Sequence, residues 1–286
     1  MKTRRILSVL LAAAMTCAMC LSAGAADAPA TSVDGYPINA NGETYGSYLD
    51  RHKYGYAPDL IAALGDDGTE GYIRREDFAQ GLRFGLPPAL QFSVTAGGNI
   101  ALQNFMNGFG SHTVAAITTA YRVDTIMLLP IINLGSAIST MVAQSKGAGE
   151  PQRARHFWRT GAVMNLVVSL LLMAVMLLFG GKLVALFGVE AEAAAIGRRF
   201  FQRISLFYVF FGLACSMRGT IEGTGRVVYS SAVSIAALLL RIALSYLLAG
   251  AFLNMAIAYA EGLHWIFMVL CFLPFFLRRD RWAQNS

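Results

Sequence analysis

Charged residues are scarce in this chain: 14% of its 286 residues are Asp, Glu, Lys or Arg, and 56% are hydrophobic. Soluble domains carry about 25% charged residues. Together with a mean hydropathy of +0.51, this shortage argues against an ordinary soluble enzyme. Common catalytic motifs are also missing, since no Gly-x-Ser-x-Gly, Walker loop, His-Glu-x-x-His or dinucleotide fingerprint occurs. We therefore expect the chain not to be an enzyme.

Cysteine is also rare, with four residues, and residues 26–80 contain none. A disulfide framework is thus excluded from the most polar part of the chain. The Cys17-Ala-Met-Cys20 spacing is typical of redox motifs, but it lies in an apolar run without a βαβ context. No residues cluster at metal-ligand spacing, and His112, His156 and His264 are expected at the ends of apolar segments. No metal and no cofactor are expected.

The composition changes twice along the chain. Residues 1–25 carry three bases and no acid, residues 26–80 ten acids and four bases, and residues 81–286 sixteen bases and seven acids. The sequence pI of about 9.3 is compatible with nucleic-acid binding. Because the bases separate long apolar runs, they fit the cytoplasmic loops of a membrane protein better. We expect the lipid bilayer as partner, and no nucleic acid.

The first segment, 1–25, resembles a signal peptide. Three bases precede the apolar run Ile6 to Leu21, and Ala23-Gly-Ala25 offers a cleavage site. The alternative is an uncleaved anchor, for which the run is short. Either interpretation would place residues 26–80 outside the cell.

The second segment, 26–80, is acidic, polar and turn-rich, and we expect a small irregular α+β unit. Asn41-Gly42 predicts a hairpin, and Gly71 to Arg74 a strand. Asp59 as N-cap and Gly65 at the C-terminal end predict a short helix between them. The ten acids lack calcium-loop spacing, so a solvated acidic face is the preferred interpretation.

The third segment, 81–286, predicts an all-α polytopic membrane protein with a bundle of six transmembrane helices. Each apolar stretch supplies the ~20 residues that a helix needs to cross the hydrocarbon of a bilayer. The stretches lie near 86–108, 112–143, 160–181, 200–221, 228–250 and 255–277.

The charges flanking these stretches predict the topology. Twelve Lys and Arg residues fall on one side of the six spans and four on the other. The positive-inside rule then places both ends of the block, including the C-terminus, in the cytoplasm of a bacterial cell membrane. This conflicts with a signal peptide, which would invert every loop. The two parts of the chain therefore do not share one topology.

The order of motifs in the third segment resembles the MATE (multidrug and toxic compound extrusion) family, in the second of its two six-helix lobes. The resemblance covers about 85–282. It rests on Gly85-Leu-Pro-Pro-Ala-Leu-Gln91, Asn107-Gly-Phe-Gly110, Tyr121-Arg-Val-Asp124, Gly135 to Gln144, Lys146-Gly-Ala-Gly149, Arg218-Gly, Glu222-Gly-x-Gly-Arg226, Ala258-Tyr-Ala-Glu261 with Trp265, and the closing Arg-Arg-Asp-Arg-Trp282.

This resemblance implies cation-coupled antiport of small organic substrates through a cavity between two lobes. Residues 1–84 cannot supply the other lobe, so a missing first lobe or a homodimer is expected as partner. The NorM-like branch would carry acids in the first and fourth helices of this lobe. The first has none and the fourth has only Glu222 at its end, and the DinF-like branch would carry its acid in the missing lobe, so neither coupling site is recognisable. The resemblance is to the DinF-like rather than the NorM-like branch. The coupling ion, H+ or Na+, stays open.

Two alternatives to a transporter of this type remain open. One is a fused or truncated product without transport activity. The other is a lipid-linked saccharide flippase of the wider superfamily. We expect no drug efflux from the chain expressed alone.

Polar residues inside the apolar stretches are the candidate site, because ionisable groups at membrane depth are costly. Polar side chains recur every fourth residue along the first span, and Arg122 and Asp124 lie on different faces of the second. Each set is interpreted either as packing contacts inside the bundle or as the cavity lining. The cavity candidates are Asn99, Gln103, Asn107, Tyr121, Arg122, Asp124 and Gln144.

Arg241 and Glu261 lie at similar distances from a turn that is predicted at Gly250 to Asn254. In an antiparallel hairpin the two side chains would share one depth. An intramembrane ion pair is therefore expected, with transport chemistry as the alternative interpretation.

Overall fold

A computed structural model describes residues 35–64 and 69–277. The signal-like segment 1–25 and the arginines after residue 277 lie outside these ranges. Contacts divide the chain after Leu82 into two compact units.

The first unit contains a three-stranded sheet in the order β1-β2-β3. Its strands are β1 (Tyr45–Gly46), β2 (Leu60–Leu64) and β3 (Glu70–Arg74), and the short helix α1 (Arg51–Tyr54) follows a 3-10 turn at Tyr48–Asp50. β1 pairs with β2 in parallel, and β2 with β3 antiparallel. The predicted strand at 71–74 is confirmed. The predicted hairpin is confirmed, and a single antiparallel bridge between Ile38 and Thr44 forms it.

The helix predicted after Asp59 is wrong, because the residues form β2. The Asp59 carboxylate caps no helix. It accepts hydrogen bonds from the backbone N–H and the hydroxyl of Thr44 and pairs with Arg75 at 3.3 Å. Nearby, the buried Tyr36 donates a hydrogen bond to the Tyr56 carbonyl at 3.2 Å. Partners distant in sequence thus decide the conformation of this segment.

The remainder of the described chain is helical. The helices are α2 (Arg75–Asn107), α3 (Ser111–Gly147), α4 (Pro151–Ala185), α5 (Ala191–Ile204), α6 (Tyr208–Gly223), α7 (Val227–Leu247), the short α8 (Ala249–Phe252) and α9 (Ala256–Leu277). A 3-10 turn at Ser205–Phe207 joins α5 to α6, and another at Leu253–Met255 leads into α9. The helix α3 continues through Pro130.

Five of these segments within 35–64 and 69–277 are long and apolar enough to cross a membrane. They are Ser111–Gly147, Pro151–Ala185, Ala191–Gly223, Val227–Leu247 and Ala249–Leu277. They correspond to the second to sixth predicted spans. The first predicted span falls in the long helix α2. This helix contains polar and glycine residues and is not among the five apolar segments. The large apolar side chains exposed on α4, among them Leu171 and Leu178, suit contact with lipid tails.

The core of the second unit lies among α3, α4, α5, α6, α7 and α9, which pack against one another. Small residues allow close helix contact: a Cβ added at Gly219 of α6 would collide with the carbonyl oxygen of Gly135 on α3. Such small-residue contacts are typical of membrane helices. The helix α2 joins α7 through the Phe105 and Tyr246 rings, whose centroids are 5.1 Å apart.

Candidate functional site

A buried polar contact links α3 to α6. Tyr121 and Asp124 lie three residues apart on α3 and therefore on one helical face. The hydroxyl of Tyr208, at the start of α6, donates a hydrogen bond to Oδ1 of Asp124. Asp124 is 5% exposed and Tyr208 is fully buried. The carboxyl group is thus held inside the bundle by a neutral donor.

A second contact links α7 to α9. Nη2 of Arg241 lies 2.5 Å from Oε2 of Glu261. The Tyr121 hydroxyl accepts a hydrogen bond from the same Nη2 at 3.0 Å and donates one to Oε2 at 3.2 Å. One phenol therefore connects the ion pair to α3, beside Asp124.

His264 completes the group from α9. Its Nδ1 lies 3.9 Å from Oε1 of Glu261, too far for a hydrogen bond. This Nδ1 and Arg241 Nε are both buried without a hydrogen-bond partner. The expectation that His264 is interfacial is wrong, because the residue lies well inside α9 with its side chain 12% exposed. We call Tyr121, Asp124, Tyr208, Arg241, Glu261 and His264 the charged cluster.

The formal charges of the charged cluster do not balance. Arg241 and Glu261 neutralise each other at contact distance. Asp124 has a phenol as its partner, and among the described residues it forms no ion pair. With His264 neutral, the cluster carries one negative charge whenever Asp124 is ionised. It is therefore suited to hold one proton or one monovalent cation.

The structure separates the remaining candidates from this cluster. Asn99, Gln103 and Asn107 line a shallow, open groove on α2, where Gln103 donates to Asn107 at 3.4 Å. Arg122 and Gln144 are exposed on α3. Of the seven cavity candidates, Tyr121 and Asp124 join Arg241 and Glu261.

Sequence reasoning missed Tyr208. This residue is the one phenol in the apolar run around the start of α6, and it lies 84 positions from Asp124 in the chain. A polar side chain in such a run was the available signal. No spacing rule relates it to its partner.

A separate polar contact lies at the far end of α6. Oε1 of Glu222 accepts hydrogen bonds from Arg218 Nε at 2.7 Å and from the Ser230 hydroxyl at 2.8 Å. Lys146 donates to the Thr224 carbonyl at 3.0 Å. These partly exposed contacts join the ends of α3, α6 and α7. Glu222 therefore provides a carboxylate for comparison with those of the charged cluster.

Metal ligands do not assemble in the described ranges: no group of three or more His, Cys, Asp or Glu there could hold a metal ion. Helices of membrane-spanning length around a buried ion pair define a multi-pass integral membrane protein with a polar centre.

The family model described as MatE matches residues 87–247, which is more than half of the chain. The chain therefore belongs to the MatE family. The "Probable multidrug resistance protein YpnP" of Bacillus subtilis is 29% identical over 150 residues, covering 52% of this chain and 34% of that protein. The "Probable multidrug resistance protein YoeA" of the same organism is 29% identical over 157 residues, covering 55% and 34%.

Solved structures show the same fold. One is an outward-facing conformation of a multidrug resistance MATE family transporter of the MOP superfamily. It aligns with a TM-score of 0.67 at 19% identity, and the alignment covers 72% of this chain and 47% of that one. Another, a MOP superfamily transporter from Pyrococcus furiosus, also has a TM-score of 0.67 at 19% identity, with 72% and 46% covered. The chain spans about a third of the length of the curated relatives it matches and about half of the solved chains.

Proposed function

We propose that the chain is one lobe of a MATE-type exporter that moves small organic compounds out of the cell by alternating access. The family match supports a MATE-type transporter, and the names of the two Bacillus subtilis relatives support small organic compounds as its substrates. In transporters of this architecture, helices rock around a site near the membrane midplane.

The burial of the charged cluster is the main evidence for this proposal. A charged residue at the centre of a membrane helix costs about 2.5–3.5 kcal/mol on insertion scales. This lobe has three ionisable side chains, Asp124, Arg241 and Glu261, on three helices of membrane-spanning length, and all are buried. If these positions served only to pack the helices together, apolar side chains of similar size would do so at least as well. The cluster therefore favours cation-coupled antiport.

A second lobe completes the cavity in this proposal. The solved relatives are about twice as long as the part that this chain covers. The second lobe can belong to the same polypeptide, to a separate chain or to a second copy of this chain. We place the lobe in a bacterial cell membrane with residue 286 in the cytoplasm.

A chimera tests the proposal. Residues 83–286 replace the lobe of YpnP with which they align, and ethidium accumulation is measured in an efflux-deficient bacterium. Intact YpnP and the empty vector serve as controls, together with the chain expressed alone. The chimera should lower ethidium accumulation as long as the ion gradient is maintained. The chain alone should leave accumulation at the level of the empty vector.

One result would contradict the proposal, and another would decide where the second lobe comes from. A chimera that reaches the membrane in folded form and exports nothing would favour a product without transport activity. Gradient-dependent export by the chain alone would remove the need for a separate second lobe and require two copies of this chain to form the cavity.

A further inference from the structure

We propose that Asp124 is the group that binds and releases the coupling proton, while Arg241, Glu261 and Tyr121 form a fixed electrostatic frame beside it. This inference rests on the proposed function and names the ion and the residue. It places the exchange site on the second and fourth spans of this lobe. Those residues differ from the acid positions that the resemblance implies for either branch of the family.

The partners of the two carboxylates separate their roles. Glu261 contacts a guanidinium at 2.5 Å and accepts a further hydrogen bond from Tyr121 at 3.2 Å. Protonating Glu261 would leave Arg241 buried as an uncompensated cation, which is strongly unfavourable. Asp124 has no such constraint, because its partner is the neutral Tyr208 hydroxyl.

The surroundings of Asp124 hold few ionisable groups. Tyr121 lies on the same helix, Tyr208 on α6, Arg241 on α7, and Glu261 and His264 on α9. The helix α5 presents apolar side chains to this region, with the Phe200 ring 5.5 Å from that of Tyr121. Within the described residues, the charge state of the cluster therefore changes most readily at Asp124.

The ligand set favours a proton over a metal cation. Hard cations bind several oxygen atoms at once. Here the carboxylate is approached by a phenol that donates its own hydrogen, and the fixed pair adds a guanidinium nearby. A proton needs one carboxylate oxygen and no further ligand.

The step itself is a simple transfer. A proton from water binds one carboxylate oxygen of Asp124, forming an O–H bond, and the reverse step returns it to water on the other side. No other bond changes. The cluster is neutral with the proton bound and carries one negative charge without it. Since charge inside a bilayer is costly, the protonated cluster meets the smaller barrier when the helices rearrange.

The purified full chain in lipid nanodiscs tests this inference by infrared difference spectroscopy between about pH 9 and pH 5. Exposed carboxyl groups titrate near pH 4 and contribute little in this window. The wild type should gain one carboxylic-acid C=O band on acidification. Asp124→Asn should lose that band, while Glu222→Gln should keep it. This spectroscopic measurement does not depend on transport activity. A missing band would therefore count against the inference alone, and a chimera without export would count against the proposed function alone.

A second variant keeps the test decisive if Asp124→Asn does not fold. Tyr208→Phe removes the hydrogen bond to the acid, which should move its C=O band to higher frequency. An unshifted band in this variant would overturn the assignment. So would a band that survives in Asp124→Asn and disappears in Glu261→Gln. Suppression of the band by sodium but not by choline at constant pH would overturn the choice of the proton.

Discussion

Nη2 of Arg241 and Oε2 of Glu261 lie 2.5 Å apart although the two residues belong to different helices. The helices α7 and α9 are joined by the short segment between Leu247 and Ala256, which returns the chain and places both side chains at one level. Their side chains are 11% and 10% exposed. The pair thus forms inside the helix bundle, where each charge depends on the other.

Removing one member of this pair should destabilise the protein more than removing both. Glu261→Leu or Arg241→Met alone leaves a buried charge without its partner, at a cost of about 3–5 kcal/mol. The double variant removes both charges and should recover most of that loss. Thermal unfolding in detergent, arranged as a double-mutant cycle, measures the difference. Single variants as stable as the wild type would contradict the buried pair.

Two substitutions of Asp124 should differ in stability. Asp124→Leu leaves the buried Tyr208 hydroxyl without its acceptor, which costs about 1–3 kcal/mol. Asp124→Asn keeps a carbonyl oxygen in place and should remain close to the wild type. Asp50→Asn, at an exposed position of the first unit, is the control. Equal melting temperatures for the Leu and Asn variants would show that this hydrogen bond does not stabilise the bundle.

The close contact of α3 and α6 predicts a contrast between two glycines. Gly219→Ala should lower stability by about 1–3 kcal/mol, because the added methyl group meets the Gly135 carbonyl. Gly97→Ala on α2 has open space around it and should be neutral or stabilising, since alanine favours a helix. The two variants can be compared by thermal unfolding. A smaller loss at Gly219 than at Gly97 would exclude the close contact.

Local pattern and hairpin geometry were sufficient to predict part of this molecule. Five predicted spans coincide with long apolar helices, because a helix in lipid satisfies its backbone within its own residues. The placement of Arg241 beside Glu261 follows from equal distances to one turn. Both inferences use information that lies within a single segment or a single hairpin.

Contacts between distant segments could not be predicted in this way. Tyr208 meets Asp124 across 84 positions, and Tyr121 meets Glu261 across 140. The strand β2 is specified by pairing with β1 and β3, so the local helix signal at Asp59 was misleading. His264 was predicted near a span end because the sequence alone does not show how deeply a helix is packed.

The charge bias of the loops predicts a cytoplasmic C-terminus. A fluorescent protein fused after Ser286 should be bright, and alkaline phosphatase fused at the same position should be inactive. The outcome depends on residues 83–286 inserting as the positive-inside rule requires. An active phosphatase fusion would show instead that a signal at residues 1–25 sets the orientation.

Ethidium export by the YpnP chimera carrying Asp124→Asn is the most direct test of the account. The chimera with the natural residue should lower ethidium accumulation in a proton-gradient-dependent manner, and so should its Glu222→Gln variant. The Asp124→Asn chimera should be present in the membrane at equal amount and thermal stability but accumulate ethidium like the empty vector. Gradient-dependent export that is undiminished in the Asp124→Asn chimera would contradict the assignment of proton coupling to this lobe.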